Sequence, residues 1–182
     1  RELSGGGFAA LSGSASGTGV SGIADVALAG TVAHNTTPSL AYLGSQLYVA
    51  WQAYADQGAT LAVASFDTTP ARTLSLVDTV AAGTDLPSSP ALSAGGGALR
   101  LLWVHSPLVS GPTELRALRL LGGSFVAEVP GEAGPGGISR TGGQATQVVA
   151  ATDASGRTSL AWLDGASGQP EVHARGMSTT VS

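Results

Sequence analysis

The amino-acid sequence predicts an all-β fold of about three four-stranded antiparallel sheets, which we call blades, and three observations support this prediction. A block recurs in which an apolar strand, a turn and a second apolar strand ending in Trp follow one another. Its tryptophans are Trp51, Trp103 and Trp162. They are 52 and 59 residues apart, a period typical of propellers and other repeat arrays. Within each block the apolar residues alternate with a period of two, which indicates strands.

The chain begins with a segment of different composition. Residues 1–22 are rich in Gly and Ser and offer too little apolar surface to order themselves, so we predict a flexible arm. Residues 23–182 are predicted to form the repeat domain. Its blades are expected at about 36–80, 88–130 and 144–182. An additional strand at 23–33 either completes the third blade or belongs to a blade upstream of Arg1.

The strand that ends in Trp51 shows the alternation most clearly. Leu47, Val49 and Trp51 share one face, and Tyr48 and Ala50 share the other. An amphipathic helix would instead repeat its apolar residues at spacings of three and four. In each block a turn containing Gly separates this strand from the one before it, at residues 44–45, 95–97 and 153–156.

Each block continues with a third strand, and the three third strands align without gaps. They are Thr60–Ala64, Glu114–Leu118 and Glu171–Arg175. Fourth strands are expected at 73–79 and 124–129, whereas the third block retains only residues 179–181 for a fourth strand. Each repeat is therefore predicted to be a four-stranded meander, which is the content of a propeller blade.

Three blades do not close a ring, because propellers typically have about four to eight. The open blade faces are expected to be covered by more chain, by a second copy (two arcs making six blades) or by another subunit. A β-sandwich of about ten strands is the alternative fold, although the repeat period argues against it.

The composition limits the classes of function. Charged residues are only 11 % of the chain, against about 25 % in ordinary soluble domains, which favours a surface partly covered by a protein partner or by a homo-oligomer. The net charge of −4 gives no basic patch for nucleic acid. The chain has no Cys, which excludes disulfides and thiolate metal sites. No apolar run approaches the ~20 residues of a membrane helix. We predict no cofactor and no metal.

Two stretches resemble the blades of sialidase-like β-propellers of the bacterial neuraminidase-repeat type: PSLAYLGSQLYVAWQA, and VVAATDASGRTSLAWLDGASGQPEVHARG. The resemblance spans about residues 36–177 and implies a propeller fold. Enzymes of this class would show an arginine triad and a Tyr nucleophile with a Glu partner, and no local motif here assigns those roles. The Asp-box turn of the class has its nearest match at Ser65-Phe66-Asp67, which lacks the Gly and the Trp. We predict no catalytic residue.

The candidate ligand contacts cluster around the repeat tryptophans. Trp51, Trp103 and Trp162 either fill the core between blades or form an aromatic platform for sugar rings, and burial decides between the two. Tyr48 could stack on a sugar in the same way. Three polar residues that end the same strand in successive blades could add hydrogen bonds: Gln52, His105 and Asp164.

These observations lead to a ranked set of functions. We expect a non-enzymatic β-propeller segment, exported or at the cell surface of a bacterium, that acts as a binding or assembly module. Blade ends or sheet edges are expected to make the contacts, with addition of a strand at an exposed edge as the physical route. The alternatives are a carbohydrate-binding, lectin-like propeller and a fragment of a sialidase-like glycoside hydrolase. The hydrolase alternative requires two carboxylates about 5–9.5 Å apart in a cleft.

Overall fold

The computed structural model describes residues 2–4, 7–9, 32–55, 58–67, 74–81, 85–108, 110–128 and 137–177. Within these ranges the chain forms three larger antiparallel sheets, one after another. The first contains β3 (Val32–Leu43), β4 (Gln46–Ala55), β5 (Gly58–Asp67) and β6 (Leu74–Ala81). The second contains β7 (Asp85–Gly95), β8 (Ala98–Pro107), β9 (Glu114–Leu121) and β10 (Ser124–Val126). The third contains β11 (Ala145–Thr152), β12 (Thr158–Asp164) and β13 (Glu171–Met177).

Every one of these sheets is a meander, because its strands pair in the order in which they occur along the chain. The first strands of the three sheets, β3, β7 and β11, lie side by side, since β7 contacts both of the others. The sheets are therefore stacked in sequence around their first strands, as the blades of a propeller are. The prediction of an all-β fold of propeller-type sheets is confirmed.

The first strand of each sheet contains a β-bulge at the same place. The residue that opens the bulge has a positive φ in all three cases: Thr37 at 48°, Ser89 at 50° and Gln147 at 50°. A side chain in this left-handed region costs about 1–2 kcal/mol. Because the same backbone feature recurs three times, the repeats are equivalent in backbone geometry as well as in sequence.

The core lies between the sheets. The first interface, between the first and second sheets, buries aliphatic and aromatic side chains of both, among them Tyr48, Ala50, Leu61, Leu101 and Trp103. The second interface, between the second and third sheets, does the same with Leu102, Val104, Leu115, Leu160 and Trp162. Alternation along each strand sends its odd and even residues to opposite interfaces, as β8 shows: Leu101 and Trp103 face one way, Leu102 and Val104 the other.

The observed strands differ from the predicted ones mainly at their ends. The fourth strand of the first sheet runs to residue 81, beyond the predicted end at 79, whereas β10 stops at residue 126, before the predicted end at 129. The predicted fourth strand of the third blade, at 179–181, lies outside the described residues. So does most of the predicted strand 23–33. Its last residues, 32–33, begin β3 and therefore belong to the first sheet.

The predicted arm, residues 1–22, is described only in part. Two short strands, β1 (Glu2–Ser4) and β2 (Gly7–Ala9), pair antiparallel there. Sequence composition predicts no strand at this place. The remainder of the segment lies outside the described residues.

Candidate interaction face

The three repeat tryptophans are equivalent in hydrogen-bond register. In each sheet the residue just before the Trp pairs with the first residue after the bulge. These pairs are Ala50 with Ser39, Leu102 with Ala91, and Ala161 with Val149. The equivalence allows every position of one sheet to be compared with its counterparts in the other two.

Each Trp points toward the sheet that precedes its own in the chain. Trp103 packs in the first interface and Trp162 in the second. Trp51 lies on the face of the first sheet that is turned away from the second, together with Ala53 and Ala62. We therefore call the face that carries the Trp the donor face of a sheet, and the opposite face its receiver face.

The receiver face of the second sheet shows what a Trp packs against. Its positions around Trp162 are aliphatic and belong to the same core cluster. Their exposed fractions range from 0 to 8 %: Ala91, Leu102, Val104, Leu115 and Ala117. The receiver face of the first sheet meets Trp103 with Ala50, Leu61 and Val63, which are fully buried as well.

The receiver face of the third sheet is aliphatic like that of the second sheet, but its side chains are more exposed to solvent. The strand pairing makes five residues the counterparts of those just named on the second sheet. We call them the open face: Val149, Ala161, Leu163, Val172 and Ala174. None is charged, and the side chains of Val149 and Val172 are 64 % and 76 % exposed. In the described part of the chain no further sheet covers them.

A groove of about 620 Å³ lies at the turn end of the third sheet, and it is lined by residues of both sides of the sheet. Three of them belong to the side that packs on the second sheet: Thr152, Thr158 and Met177. Ala151, Ser159 and Gly176 also line the groove, and they continue the open face along the three strands. Asp153 and Arg157 add a charged rim. The open face and the groove together form the candidate interaction surface.

The rim is held by the turn between β11 and β12. Asp153 Oδ1 accepts hydrogen bonds from the backbone N–H and the hydroxyl of Ser155, and Asp153 Oδ2 lies 2.9 Å from Arg157 Nε. The Ser155 hydroxyl and the Arg157 side chain hold the pKa of Asp153 well below its ordinary value. The rim therefore carries a compensated pair of opposite charges at neutral pH.

A buried arginine fastens the third sheet to the second. Arg100, 1 % exposed, makes an ion pair of 2.8 Å with Glu128. Its Nη1 donates to the backbone oxygen of Gly156 at 3.0 Å and to Thr158 Oγ1 at 2.8 Å. The charge of Arg100 is tolerated at this depth because three acceptors surround its guanidinium: the Glu128 carboxylate, the Gly156 backbone oxygen and the Thr158 hydroxyl.

Two glycines of the β7–β8 turn allow the third sheet to approach closely. A Cβ at Gly95 would overlap the backbone oxygen of Asp153, and a Cβ at Gly96 would overlap the backbone of Gly156. Gly96 also has φ +55°, which side chains other than Gly disfavour. The turns of the second and third sheets are thus packed backbone to backbone.

The structure places the predicted stacking residues in the interior. Trp51, Trp103 and Trp162 are only 4 to 5 % exposed, and Tyr48 is 6 % exposed. Burial raises the pKa of Tyr48, whose hydroxyl donates to Gln46 Oε1 at 2.7 Å. These four aromatic rings fill the core, so the platform interpretation requires faces that this structure does not expose.

The predicted hydrogen-bonding residues are buried too, and they are not in one place. Gln52 donates to the backbone oxygen of Pro87 at 2.5 Å, and this bond ties the first sheet to β7. Gln52 also accepts from Thr36 of the first sheet at 3.0 Å. His105 is 5 % exposed. Asp164 follows Trp162 in β12. The register makes His105 and Asp164 counterparts of each other and of Ala53, while Gln52 is one position earlier. A shared ligand role for the three stays a prediction.

Asp164 has a local structural role at the end of β12. It accepts hydrogen bonds from the Thr141 hydroxyl, from Trp162 Nε1 at 3.2 Å and from the backbone N–H of Ala166 at 2.9 Å. Burial works to raise the pKa of this carboxyl, but the three donors outweigh it and lower the pKa. Trp162 also stacks on His173, with ring centroids 5.5 Å apart.

Sequence reasoning missed the open face itself. Val149 and Val172 follow the same alternation as their buried counterparts, so the pattern alone carries no sign of exposure. In the described ranges, no group of three or more His, Cys, Asp or Glu side chains could hold a metal ion. The same residues contain no helix long and apolar enough to cross a membrane.

Comparison with known proteins adds little about activity. No protein-family model matches the chain, and no curated protein matches it. Among solved structures the chain is similar to the catalytic domain of Coprinopsis cinerea GH62 alpha-L-arabinofuranosidase, with 15 % identity and a TM-score of 0.47. The match covers 82 % of this chain and 47 % of the arabinofuranosidase chain. This chain therefore spans about half the length of the arabinofuranosidase catalytic domain. The resemblance to sialidase-like repeats holds at the level of propeller-type sheets, and membership of that family stays a prediction. The sheet order and register described above establish the fold.

Proposed function

We propose that this domain is a non-enzymatic assembly module of an exported or cell-surface protein, and that it binds a further β-sheet through the open face. One observation carries the proposal. Equivalent aliphatic positions are buried on the first two sheets, whereas Val149 and Val172 on the third sheet are more than half exposed. Exposed, contiguous apolar surface of this kind is typical of interaction sites.

The energetics favour occupation of the face. Fully burying an aliphatic side chain contributes about 1.5–3 kcal/mol relative to leaving it in water. The open face has two strongly exposed valines, and no charge would have to be desolvated among its five residues. A protein surface of matching apolar character is therefore the preferred ligand.

The partner we propose comes from outside residues 1–182. Every other receiver face in the described chain is covered by the next sheet along, so continuation of the stack is the natural way to cover this one. A second copy would have to offer the donor face of its first sheet. Leu40 and Tyr42 are 64 % and 58 % exposed on that face, but its Trp51 is 4 % exposed and therefore not free to enter another sheet. Carbohydrate binding and glycoside hydrolysis stay predictions from the sequence. The aromatic and polar side chains named as candidate carbohydrate contacts are buried in this structure.

The proposal is tested by the reactivity of a single thiol. The chain has no Cys, so Val172→Cys introduces a unique label site on the open face. We expect the V172C thiol to react rapidly with a maleimide in the purified chain, and about tenfold more slowly in the assembly isolated from the cells that naturally make this protein. Leu121→Cys is the matched control, because Leu121 is 63 % exposed on the rim of the second sheet.

Two results would contradict the proposal. One is slow reaction of V172C in the purified, monomeric chain, which would mean that the face is already covered. The other is equal reactivity of V172C in the purified chain and in the native assembly. L121C is expected to react rapidly in both preparations.

A further inference from the structure

We infer that the partner of the open face is a sheet of this same repeat, and that it places the Trp of its second strand over Ala161. This inference rests on the proposed function and names the chemistry of its partner. The open face is thus a socket for an indole ring supplied by a neighbouring blade.

Both existing interfaces show the same arrangement. Trp103 packs against a receiver face built from Ala50, Leu61 and Val63, and Trp162 packs against one built from the corresponding residues of the second sheet. Each receiver face contains the residue that directly precedes the Trp of its own sheet, which is Ala50 in the first sheet and Leu102 in the second. On the third sheet that residue is Ala161.

The counterparts on the third sheet preserve the socket. Ala161 corresponds to Ala50, and it is flanked across the strand pairs by Val149 and Ala174. One step along, Leu163 pairs with Val172. All five side chains are aliphatic, and the two alanines, Ala161 and Ala174, leave room beside the larger Val149, Leu163 and Val172 for the apolar face of an indole.

The groove at the turn end fits the same neighbour. The third sheet lays its Asp153–Gly156 turn on Gly95 and Gly96 of the second sheet. The strand register makes Asp153 the counterpart of Gly95, and Asp153 lines the groove beside the open face. The groove of about 620 Å³ therefore lies where the turn of a following sheet would be. Because Asp153 has a side chain where Gly95 has none, that turn would lie further from the third sheet than the turn of the third sheet lies from the second.

The test supplies such a sheet from the chain itself. The full chain carrying Val172→Cys is extended at residue 182 by a second copy of residues 68–128, which provides a fourth strand and then a sheet with a Trp. We expect the V172C thiol to react about tenfold more slowly in this extended chain than in the unextended one, because a packed neighbour excludes the reagent.

The matched control is the same extension with W103S in the appended copy only. We expect its V172C thiol to react within about threefold of the unextended chain, since the indole supplies most of the contact. Equal protection by the two extensions would overturn the role of the Trp. Slowing that depends on the concentration of the unextended chain would show that a second copy is the partner, and would overturn the inference as well.

A second measurement does not depend on folding of the extension. Indole has few atoms and binds weakly, so it is titrated to about millimolar concentrations into the unextended chain while methyl resonances are followed by NMR. We expect shifts at the methyls of Ala161, Val172 and Ala174, and none at Leu121. Shifts absent from the open face, or equal at Leu121, would contradict the inference.

The failures of the two proposals are distinguishable. Rapid reaction of V172C in the purified chain with protection in the native assembly supports the proposed function, whatever the extended chains do. If the Trp extension then gives no protection and indole causes no shift, the partner has another chemistry and only the inference fails.

Discussion

The first and second interfaces are built on the same plan but are held in different ways. Each receives one Trp on an aliphatic face. Across the first interface the polar bonds join a side chain to the backbone, as in those from Leu92 N–H to Ser39 Oγ at 2.9 Å and from Phe125 N–H to the Asp78 carboxylate at 2.8 Å. The second interface adds bonds between side chains, among them the one from the buried guanidinium of Arg100 to Thr158 Oγ1 of the third sheet at 2.8 Å. The difference shows that the Trp and its receiver face define the stack, while the polar ties are particular to each pair of sheets.

The largest expected effect tests what the two interfaces share. Trp103→Ala and Trp162→Ala each remove a large buried ring, so we expect each to lower the free energy of unfolding by about 3–5 kcal/mol. Urea unfolding followed by far-UV circular dichroism measures the loss. Leu121→Ala is the control and is expected to change it by less than about 0.5 kcal/mol. A loss at only one of the two tryptophans would break the equivalence.

The next effect tests what the second interface has alone. Arg100→Ala leaves Glu128, 14 % exposed, without its main partner, and we expect a cost of about 3 kcal/mol. Hydrogen exchange should show the loss locally, with faster exchange at Leu160 in the third sheet and unchanged exchange at Leu61 in the first. Equal acceleration in both sheets would mean that Arg100 does not act on the second interface in particular.

Glycine contacts give an intermediate effect. Gly96→Ala must place a Cβ against the backbone of Gly156 at a φ of +55°, and we expect a loss of about 2–3 kcal/mol of stability. Gly97→Ala is the matched control, because Gly97 has φ +75° and open space around it. It should cost only about 1 kcal/mol from the backbone conformation. Equal losses in the two variants would show that the close approach of the turns contributes nothing.

The pH dependence of the third sheet gives a smaller effect. The pKa of Asp164 is lowered in the folded chain, so the stability it contributes is fully present above its unfolded pKa of about 3.9. That contribution is lost as the pH falls through the lower, folded pKa. We expect Asp164→Asn to lower the free energy of unfolding by about 1 kcal/mol at pH 7 and to reduce the further loss of stability at acidic pH. Urea midpoints measured from pH 7 down to about pH 2 give both quantities. An unchanged loss of stability at acidic pH would argue against a role for Asp164.

The smallest effect is expected on the open face. Val172→Asp in the purified chain places a charge on a side chain that is 76 % exposed, so stability should change by less than about 0.5 kcal/mol. The corresponding change on the covered receiver face, Leu115→Asp, should prevent folding or cost several kcal/mol. Thermal melts of the two variants compare them directly. A large loss for Val172→Asp would indicate that the face is already packed.

Much of the fold follows from local sequence pattern, because alternation and turn chemistry act over a few residues. The Trp spacing and the alternation along residues 47–51 are enough to predict the sheets and their strand order. The bulges were not predictable, since Thr37, Ser89 and Gln147 carry no Gly signal for a positive φ. The pair formed by Arg100 and Glu128 was also out of reach, because its partners are 28 residues apart.

The candidate site could not be predicted from the pattern, for a physical reason. Gln52, His105 and Asp164 are polar residues at strand ends, where a side chain can meet a ligand, yet the stacking of sheets buries those ends. Val149 and Val172 resemble core residues in sequence, and they become a surface only because no described sheet covers them. Exposure is a property of the stack, and a single strand does not record it.

The uniform orientation of the three tryptophans gives the molecule a polarity. Each sheet therefore has two unlike faces, so a contact between the open face and the donor face of a further sheet is heterologous and cannot be satisfied by a twofold axis. An assembly that grows by repeating this contact has two outcomes only: it closes on itself as a ring, or it continues as a filament. The rotation between successive sheets decides which of the two forms.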